Sequence, residues 1–341
     1  MRTVLITGAS GVVGRAVAAE LRDCRVIGLV HSDPEVPGVD EVLRGDLSQD
    51  WLGLDPGVWR RLADEVDSIV HSGALTQWGQ PYERYQAINV DGTRRVAELA
   101  EAAGAPVHMQ STCFLHVLEL DRAGELGPAN VVTPYVTSKL AAERVLASSG
   151  VPHSVFRSTN LVGDSVTGAS SQPQIVQQMS DWLARGKAPY VPVHPGNLID
   201  VAPLDVLAKA TARVVEADDT GSPPYWVTYG PDGMTIERTL EIIGEHVRSQ
   251  GRSFVPPPVI DPDQGLPVPL EKVPPRSRAF LKVLIDVSEV TRGCGGVLPT
   301  SLPLLAERFG VPAVSDTGAY RRSLDYWANE RARALDTVEA L

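Results

Sequence analysis

Cysteine, positive charge and long apolar runs are all scarce in this sequence, and each shortage argues against a class of protein. Its 3 cysteines in 341 residues are widely spaced without a C-x-x-C pair, so neither a disulfide framework nor a zinc site is expected. A formal net charge of -11 gives no support to binding of nucleic acid or an anionic membrane. No apolar stretch approaches the roughly 18 residues of a membrane-spanning helix.

The first residues already form a strand-like run, Thr3-Val4-Leu5-Ile6, which leaves no room for a signal peptide. Together with the unpaired cysteines, this predicts a cytoplasmic protein. The length allows one large α/β domain or two lobes with a sizeable core. The oligomeric state stays open.

Glycine, by contrast, is placed with a regular spacing. Gly8, Gly11 and Gly14 follow that first run as G-x-x-G-x-x-G. The first glycine permits a tight turn, the second a close approach to a pyrophosphate, and the third close packing of the next helix. Because a helix that begins here offers N–H groups and a positive dipole end to an anion, the motif predicts a dinucleotide site.

The first 160 residues alternate β-branched runs with amphipathic patterns, which predicts an α/β fold with a Rossmann-type, doubly wound parallel sheet. The predicted strands are residues 3–6, 25–30, 41–44, 68–71, 107–110, 154–157 and 225–228. The predicted helices are residues 12–21, 56–65, 82–103, 134–147, 175–184, 205–216 and 236–248.

We expect residues 1–162 to form the dinucleotide-binding domain, with 197–216 returning to it. Residues 163–196 and 217–341 should form mainly a smaller C-terminal substrate lobe. Within that lobe, residues 256–275 include eight prolines in twenty, which predicts extended loop. A loop this long is usually a lid or binding arm, or else disordered, and we favour a lid.

Two further motifs carry chemistry. Tyr135 and Lys139 would share one helix face, where the cation lowers the pKa of the phenol, although Y-x-x-x-K is also common on ordinary helix faces. Ser111 and Thr112 end a predicted strand, at the sheet edge where ligands bind, although a hydroxyl there can simply cap a turn. Agreement of these motifs with the glycine turn favours an active site.

In order and spacing, these motifs resemble an extended short-chain dehydrogenase/reductase over nearly the whole chain. Within that superfamily the chain is most similar to carrier-protein thioester reductases and fatty acyl reductases. The matching motifs are Gly45-Asp46-Leu47, Leu52-Gly53-Leu54, His71-Ser72-Gly73-Ala74, Pro81-Tyr82, Asn89-Val90-Asp91-Gly92-Thr93 and Pro203-Leu204-Asp205-Val206.

The resemblance implies a role for each matched residue. Tyr135 would be the general acid, Lys139 would tune it and bind the nicotinamide ribose, and Thr112, in preference to Ser111, would bind the carbonyl oxygen. The implied cofactor contacts are Gly8, Ser10, Gly11, Val12, Val13, Gly14, Arg15, His31, Asp46, Leu47, Ser72, Ala74, Asn89 and Lys139. Asn89 fits a structural role and a proton relay equally well. The histidines show no metal-ligand spacing, so no metal is expected.

The cofactor is expected to be NADPH rather than NADH. An NAD enzyme places an acid at the end of the second strand, where this chain has His31, and Asp33 comes later. Arg15 follows the third glycine, where its cation could reach a 2′-phosphate, although it could equally be solvated. Thioester reductases often carry arginine where His31 stands, and this departure counts against NADPH.

The leading hypothesis is an NADPH-dependent reductase that transfers hydride to a carbonyl. The substrate would be a thioester on a carrier protein, arriving in trans, or a free aldehyde or ketone of a biosynthetic pathway. One alternative is an NAD-dependent nucleotide-sugar epimerase or dehydratase. Another is a non-catalytic cofactor sensor, although such proteins typically lack the pair that Tyr135 and Lys139 form here.

Overall fold

The apolar runs of the sequence form strands that assemble into one large parallel sheet and two small ones. The strands are β1 (Thr3–Thr7), β2 (Arg25–Val30), β3 (Glu41–Arg44), β4 (Ser68–His71), β5 (Val107–Thr112), β6 (His153–Ser158), β7 (Asn160–Val162), β8 (Val191–Pro192), β9 (Val201–Pro203), β10 (Tyr225–Val227) and β11 (Val259–Ile260). In the computed structural model, which describes residues 1–339 and the side chains of residues 1–333, the large sheet has the order β10-β6-β5-β4-β1-β2-β3. All its strand pairs are parallel, which confirms the predicted Rossmann-type fold.

Helices cover both faces of this sheet. The helices are α1 (Val12–Glu20), α2 (Pro56–Glu65), α3 (Tyr82–Tyr85), α4 (Asp91–Ala103), α5 (His116–Glu119), α6 (Thr133–Ser148), α7 (Ile175–Ala184), α8 (Leu204–Glu216), α9 (Ile236–Ser249), α10 (Pro275–Gly293), α11 (Leu302–Phe309) and α12 (Asp316–Glu339). Successive β1 side chains point to opposite faces. Val4 packs among residues of α1 and α8, and Leu5 among residues of α2, α4 and α6. Within the described residues, no helix combines the length and apolarity needed to cross a membrane.

Each predicted strand and helix has a counterpart in the structure, but one helix is interrupted and several elements were not predicted, among them the short β7, β8, β9, β11 and α5. The helix predicted over residues 82–103 is interrupted, because Gln86–Val90 forms a π-helical turn between α3 and α4. Helices α10, α11 and α12 were not predicted at all. The proline-rich run concealed the first of these, since Pro275 is the first residue of α10, a position that proline favours.

A second core lies beyond the sheet, formed by residues such as Trp182, Tyr190, Ile243, Leu281 and Tyr320. The proline-rich segment, residues 256–275, runs along it. Its strand β11 pairs with β8, the Tyr190 hydroxyl donates to the Val268 carbonyl at 2.8 Å, and Leu266, Val268 and Leu270 pack partly buried on the core. The segment is therefore attached to the second core at several points along its length.

Helix α10 joins the second core to the loop that leads into α6. Asp286, which is 1% exposed, accepts from the Val131 N–H at 3.0 Å and pairs with Lys282. Asn130 donates to the Asp286 carbonyl at 3.0 Å and to Glu289 at 2.9 Å. Because the carboxylate and the amide are buried, these bonds fix α10 against the start of α6.

The backbones of β1 and β4 come into contact where both strands end. A Cβ added at Gly8, whose φ is +68°, would lie 2.6 Å from the Cα of Gly73. One added at Gly14 would lie 2.3 Å from the Gly8 carbonyl oxygen. Only glycine fits at these two positions, as the sequence motif predicts.

His71, at the end of β4, bridges β1 and α4. Its Nδ1 lies 2.7 Å from the Thr7 hydroxyl and its Nε2 lies 3.0 Å from the Thr93 hydroxyl. The Thr93 hydroxyl donates to the Asn89 carbonyl, so it accepts from His71, whose proton is therefore on Nε2. Burial, assisted by the charge of Lys139, lowers the pKa of His71 to about 3.

We predict that His71 makes stability depend on pH. The unfolded chain takes up this proton near pH 6.5 and the folded chain only near pH 3, so the contribution is complete above pH 6.5 and is lost as the pH falls toward 3. Each such histidine adds a slope of at most about 1.4 kcal/mol per pH unit. Chemical denaturation from pH 7 to 4 should show a shallower slope for His71→Gln.

Part of the slope should persist, because burial also lowers the pKa of His108 to about 3. His31→Asn, at an exposed position, is the control and should keep the full slope. An unchanged slope in His71→Gln would contradict the assignment of a neutral, buried His71.

The lid remains a prediction, and trypsin can test it at the exposed Lys272. If residues 256–275 close over bound substrate, NADPH with a substrate analogue should slow cleavage at Lys272. Cleavage at the exposed Arg22, at the other end of the chain, should not change. Equal rates at Lys272 with and without ligands would show a static segment.

Candidate active site

The three residues proposed for catalysis meet at the carboxyl end of β5. Thr112 is the last residue of β5, and Tyr135 and Lys139 lie one turn apart on α6; all three are buried. Burial raises the pKa of Tyr135, and interaction with the Thr112 hydroxyl opposes that shift. The structure therefore brings the phenol and the threonine hydroxyl together, as a carbonyl-binding pair requires.

Lys139 reaches back along β5. Its Nζ donates to the Gln110 carbonyl at 2.7 Å, and its charge acts on His71 at the end of β4. Burial lowers the pKa of Lys139 to about 8, and the carboxylate of Glu143 opposes this shift. The cation thus lies between the ends of β4 and β5, where a dinucleotide binds in this fold.

The two hydroxyls at the end of β5 have different partners. The Ser111 hydroxyl donates to Glu143 on α6. The Thr112 hydroxyl accepts from the Phe114 N–H at 3.4 Å, which is the capping alternative considered from sequence, and it also interacts with the Tyr135 phenol rather than with a carboxylate. The structure thus favours Thr112 over Ser111 as the donor to a carbonyl oxygen.

The glycine turn has the form of an anion site. Among the described residues, no side chain caps α1 at Gly11, and its first turn holds no acid. A Cβ at Gly11 would touch only the Gly8 carbonyl oxygen, at 3.1 Å, so this side of the turn is open to a ligand. Ser10, Val12 and Val13 flank it, half-buried. These features fit the pyrophosphate of a dinucleotide, held by backbone N–H groups.

The adenosine end of the edge holds a pair that the sequence did not predict. Arg15 donates to the Ser10 carbonyl at 2.9 Å and pairs with Asp33 at 2.6 Å. Asp33, which follows the position where an NAD enzyme has its acid, thus pairs with Arg15, the residue expected to bind a 2′-phosphate. His31 is exposed, and its charge acts on Asp46. Burial alone would raise the pKa of Asp46, but hydrogen bonds from Ser48 lower it overall.

The other predicted cofactor contacts lie along the same edge. Leu47 covers two glycines, since a Cβ at Gly73 would lie 2.8 Å from its Cδ1 and one at Gly92 would lie 3.0 Å from its Cβ. Ser72 donates to the Thr7 carbonyl at 2.7 Å, and Ala74 follows, half-buried.

Asn89 donates both of its amide hydrogens to protein partners. They go to the Leu75 carbonyl at 3.1 Å and the Ser138 hydroxyl at 3.0 Å, while Oδ1 accepts from the Leu75 N–H at 2.7 Å. These bonds tie α6 to the turn after β4. Of the two roles weighed from sequence, they favour the structural one.

One histidine and two carboxylates meet although their spacing in the sequence gave no signal. Ligand atoms of His194, Asp261 and Asp263 lie within 4.8 Å of one another. The Ser288 hydroxyl accepts from the His194 N–H at 2.8 Å and from Asn197 at 3.1 Å, so its own proton goes to His194 Nδ1. The proton on Nε2 then faces Asp263, which also pairs with Arg292. His194 thus donates to a carboxylate whose charge is paired with Arg292.

Comparison with known proteins places this site in a family. A family model described as Male sterility protein, an NAD-binding family, matches residues 40–211, about half of the chain. The hybrid PKS-NRPS synthetase pvhA of Talaromyces variabilis is 31% identical over 230 residues, covering 62% of this chain and 6% of that protein. A linear gramicidin synthase of Brevibacillus parabrevis is 30% identical over 249 residues, covering 62% and 5%. The chain thus spans a small fraction of these synthetases.

Solved structures share the fold. The terminal R domain from the myxalamid PKS-NRPS biosynthetic pathway superposes with a TM-score of 0.73 at 24% identity, covering 97% of this chain and 91% of that one. The Bordetella bronchiseptica enzyme WbmH, in complex with NAD+, superposes with a TM-score of 0.64 at 20% identity, covering 96% and 99%.

The family model supports the predicted resemblance at the level of an NAD-binding family, and the superpositions confirm the predicted fold. They also confirm, for the family, the prediction of an oxidoreductase that uses a nicotinamide dinucleotide. The chain belongs to the NAD-binding Male sterility protein family.

Proposed function

We propose that this chain is an NADPH-dependent reductase of a carbonyl group, either a thioester held on a carrier protein or a free aldehyde or ketone. The observation that carries the proposal is the meeting of Thr112, Tyr135 and Lys139 beside the open glycine turn. The thioester is favoured because the relatives include multidomain synthetases and a protein named as an L-2-aminoadipate reductase. We propose that the reaction takes place in the cytoplasm.

The chemistry follows from the positions of the two hydroxyls. The nicotinamide cofactor supplies the hydride. The Thr112 hydroxyl donates a hydrogen bond to the carbonyl oxygen, and Tyr135 gives that oxygen a proton as its negative charge develops. A thioester then becomes a hemithioacetal, whose C–S bond breaks to release a thiol and an aldehyde.

The surroundings of Tyr135 suit an acid rather than a base. Burial raises the pKa of the phenol, so Tyr135 remains protonated at neutral pH, and help in giving up its proton has to come from neighbouring groups. The sequence predicts a pKa lowered by Lys139, whereas burial raises it. In the proposed mechanism Lys139, on the same helix face, would stabilise the phenolate as the proton is transferred. The same ammonium is placed to bind the ribose hydroxyls of the cofactor.

The choice of NADPH rests on Arg15. Its guanidinium lies beside the open turn, where a planar cation suits a phosphate. Asp33 complicates this, because it holds the cation at 2.6 Å and could itself accept a ribose 2′-hydroxyl. An NAD-dependent epimerase or dehydratase is the second candidate, and Asp33 is the observation that favours it.

We predict that Tyr135→Phe lowers turnover by about 10²–10⁴-fold, because the ring remains and the acid is lost. Its affinity for NADPH should change little, since Lys139 still holds the ribose. Lys139→Ala should damage both turnover and affinity. Steady-state rates and fluorescence titration with NADPH measure the two quantities.

Thr112 supplies a matched pair of variants. Thr112→Val should chiefly lower turnover, whereas Thr112→Ser, which keeps the hydroxyl, should retain most of it. Near-normal turnover of Tyr135→Phe on the true substrate would overturn the catalytic assignment while leaving the fold intact.

Cofactor choice can be tested at Arg15 and Asp33. Arg15→Ala should weaken NADPH binding by roughly 1.5–3 kcal/mol and NADH binding much less, because only the 2′-phosphate loses a charged partner. Asp33→Asn should strengthen NADPH binding, since it frees the guanidinium and removes a negative charge. Dissociation constants for both cofactors decide the matter. A wild type that prefers NADH and loses it in Asp33→Asn would instead support the NAD-dependent alternative.

A further inference from the structure

A buried carboxylate that the proposed mechanism does not use lies one helical turn beyond Lys139. Glu143 is on α6, so Tyr135, Lys139 and Glu143 follow one another at four-residue spacing on one helix face. Its side chain is only 9% exposed. A carboxylate buried to this degree needs partners for its charge and its lone pairs.

Glu143 finds those partners on two strands of the sheet. Its Oε1 accepts from the Ser111 hydroxyl on β5 and from Arg157 Nε on β6 at 3.2 Å. Its Oε2 accepts from Arg157 Nη2 at 2.6 Å. Ser111 and Arg157 are direct neighbours in the strand register, so one carboxylate spans the pair. Helix α6, which carries Tyr135 and Lys139, is thereby fixed to β5 at Ser111, the residue before Thr112.

Arg157 is held just as firmly on its other side. It donates to both carboxylate oxygens of Glu119, at 2.7 and 2.8 Å, and its guanidinium lies 4.8 Å from the centre of the Trp226 ring. Such a bidentate, stacked arginine has little freedom to move. Arg157 therefore provides a rigid support for Glu143.

The four charged groups also balance. Lys139 and Arg157 carry two positive charges, and Glu119 and Glu143 carry two negative ones. Burial works against the ammonium of Lys139, whereas the carboxylate of Glu143 favours it. Loss of the charge at Glu143 would leave two buried or nearly buried cations facing one partly exposed carboxylate.

We infer that Glu143 is a positioning residue of this site: with Arg157 as its support, it holds the end of β5 against α6 and places a negative charge one helical turn from Lys139. The inference rests on the proposed reductase function. It also explains why Ser111 is not the donor to the substrate, since its single proton is given to Glu143.

Glu143→Gln tests the electrostatic half of the inference. Because Glu143 lies one helical turn from Lys139, removal of its negative charge should lower the pKa of Lys139 by about 1 to 2 units. The alkaline limb of the profile of kcat/KM against pH should shift by that amount, with activity near pH 6 least affected. The dissociation constant of NADPH without substrate, measured from pH 6 to 9, should shift in parallel. A uniform loss at every pH, with both limbs unmoved, would overturn this half.

Two companions separate charge from geometry. Ser111→Ala removes the link to β5 but keeps the pair of Glu143 and Arg157, so it should lower kcat several-fold without moving the limb. Glu143→Asp keeps the charge but shortens the side chain, so it should keep the limb and lower kcat. If Glu143→Gln does not fold, these two variants decide the positioning half, and unaltered kcat in both would overturn it.

Wild type and Tyr135→Phe distinguish this inference from the proposed function. A fully active Tyr135→Phe would refute Tyr135 as the acid. A wild type that oxidises no NADPH with thioesters, aldehydes or ketones would refute the reductase. In that case the NADPH binding profiles of wild type and Glu143→Gln still test whether the charge of Glu143 acts on Lys139. A working reductase whose Glu143→Gln limb stays in place refutes the role of Glu143 alone.

Discussion

The carboxyl edge of the sheet is organised by a contact between two backbones, with no side chain between them. Gly8 touches Gly73, and Gly14 packs on the Gly8 carbonyl, so closely that a Cβ at Gly8 or Gly14 would clash with the neighbouring backbone. This contact sets where α1 begins and brings the ends of β1 and β4 together. The bonds of His71 to Thr7 and Thr93 then attach the contact to α4. The open turn for a pyrophosphate is a consequence of this close approach.

The site next to this edge is built from buried charge. Lys139, Glu143 and Arg157 are each at most 9% exposed, and such groups are tolerated only when paired and hydrogen-bonded. Glu143 and Arg157 bond to each other, and Lys139 donates to the Gln110 carbonyl. Together with the bond from Ser111 to Glu143, these contacts place the end of β5 on α6. The groups required for chemistry and those required for rigidity thus form one network, so a change in either is expected to affect both.

Much of this arrangement could be predicted from the sequence because it is local. The glycine spacing, the strand periodicity and the pair of Tyr135 and Lys139 each lie within one short segment. The pairs of Arg15 with Asp33 and of Ser111 with Glu143 could not be predicted, since their members lie on different elements and only the folded chain brings them together. The π-helical turn that contains Asn89 could not be predicted from the sequence for the same reason. The Asn89 side chain bonds to Leu75 and Ser138, and helical periodicity does not reveal such contacts.

The bonds between α10 and the loop before α6 bear on how proteins of this kind could be recombined. A natural cut for exchanging specificity would fall after β7, where the predicted nucleotide-binding domain ends. Such a chimera would separate Asp286 from Val131 and Asn130. A carboxylate that is 1% exposed would keep Lys282 but lose the Val131 N–H at the new joint. Residues 127–132 therefore have to be transferred together with α10. A substrate lobe taken from another protein should include the loop that its own α10 contacts.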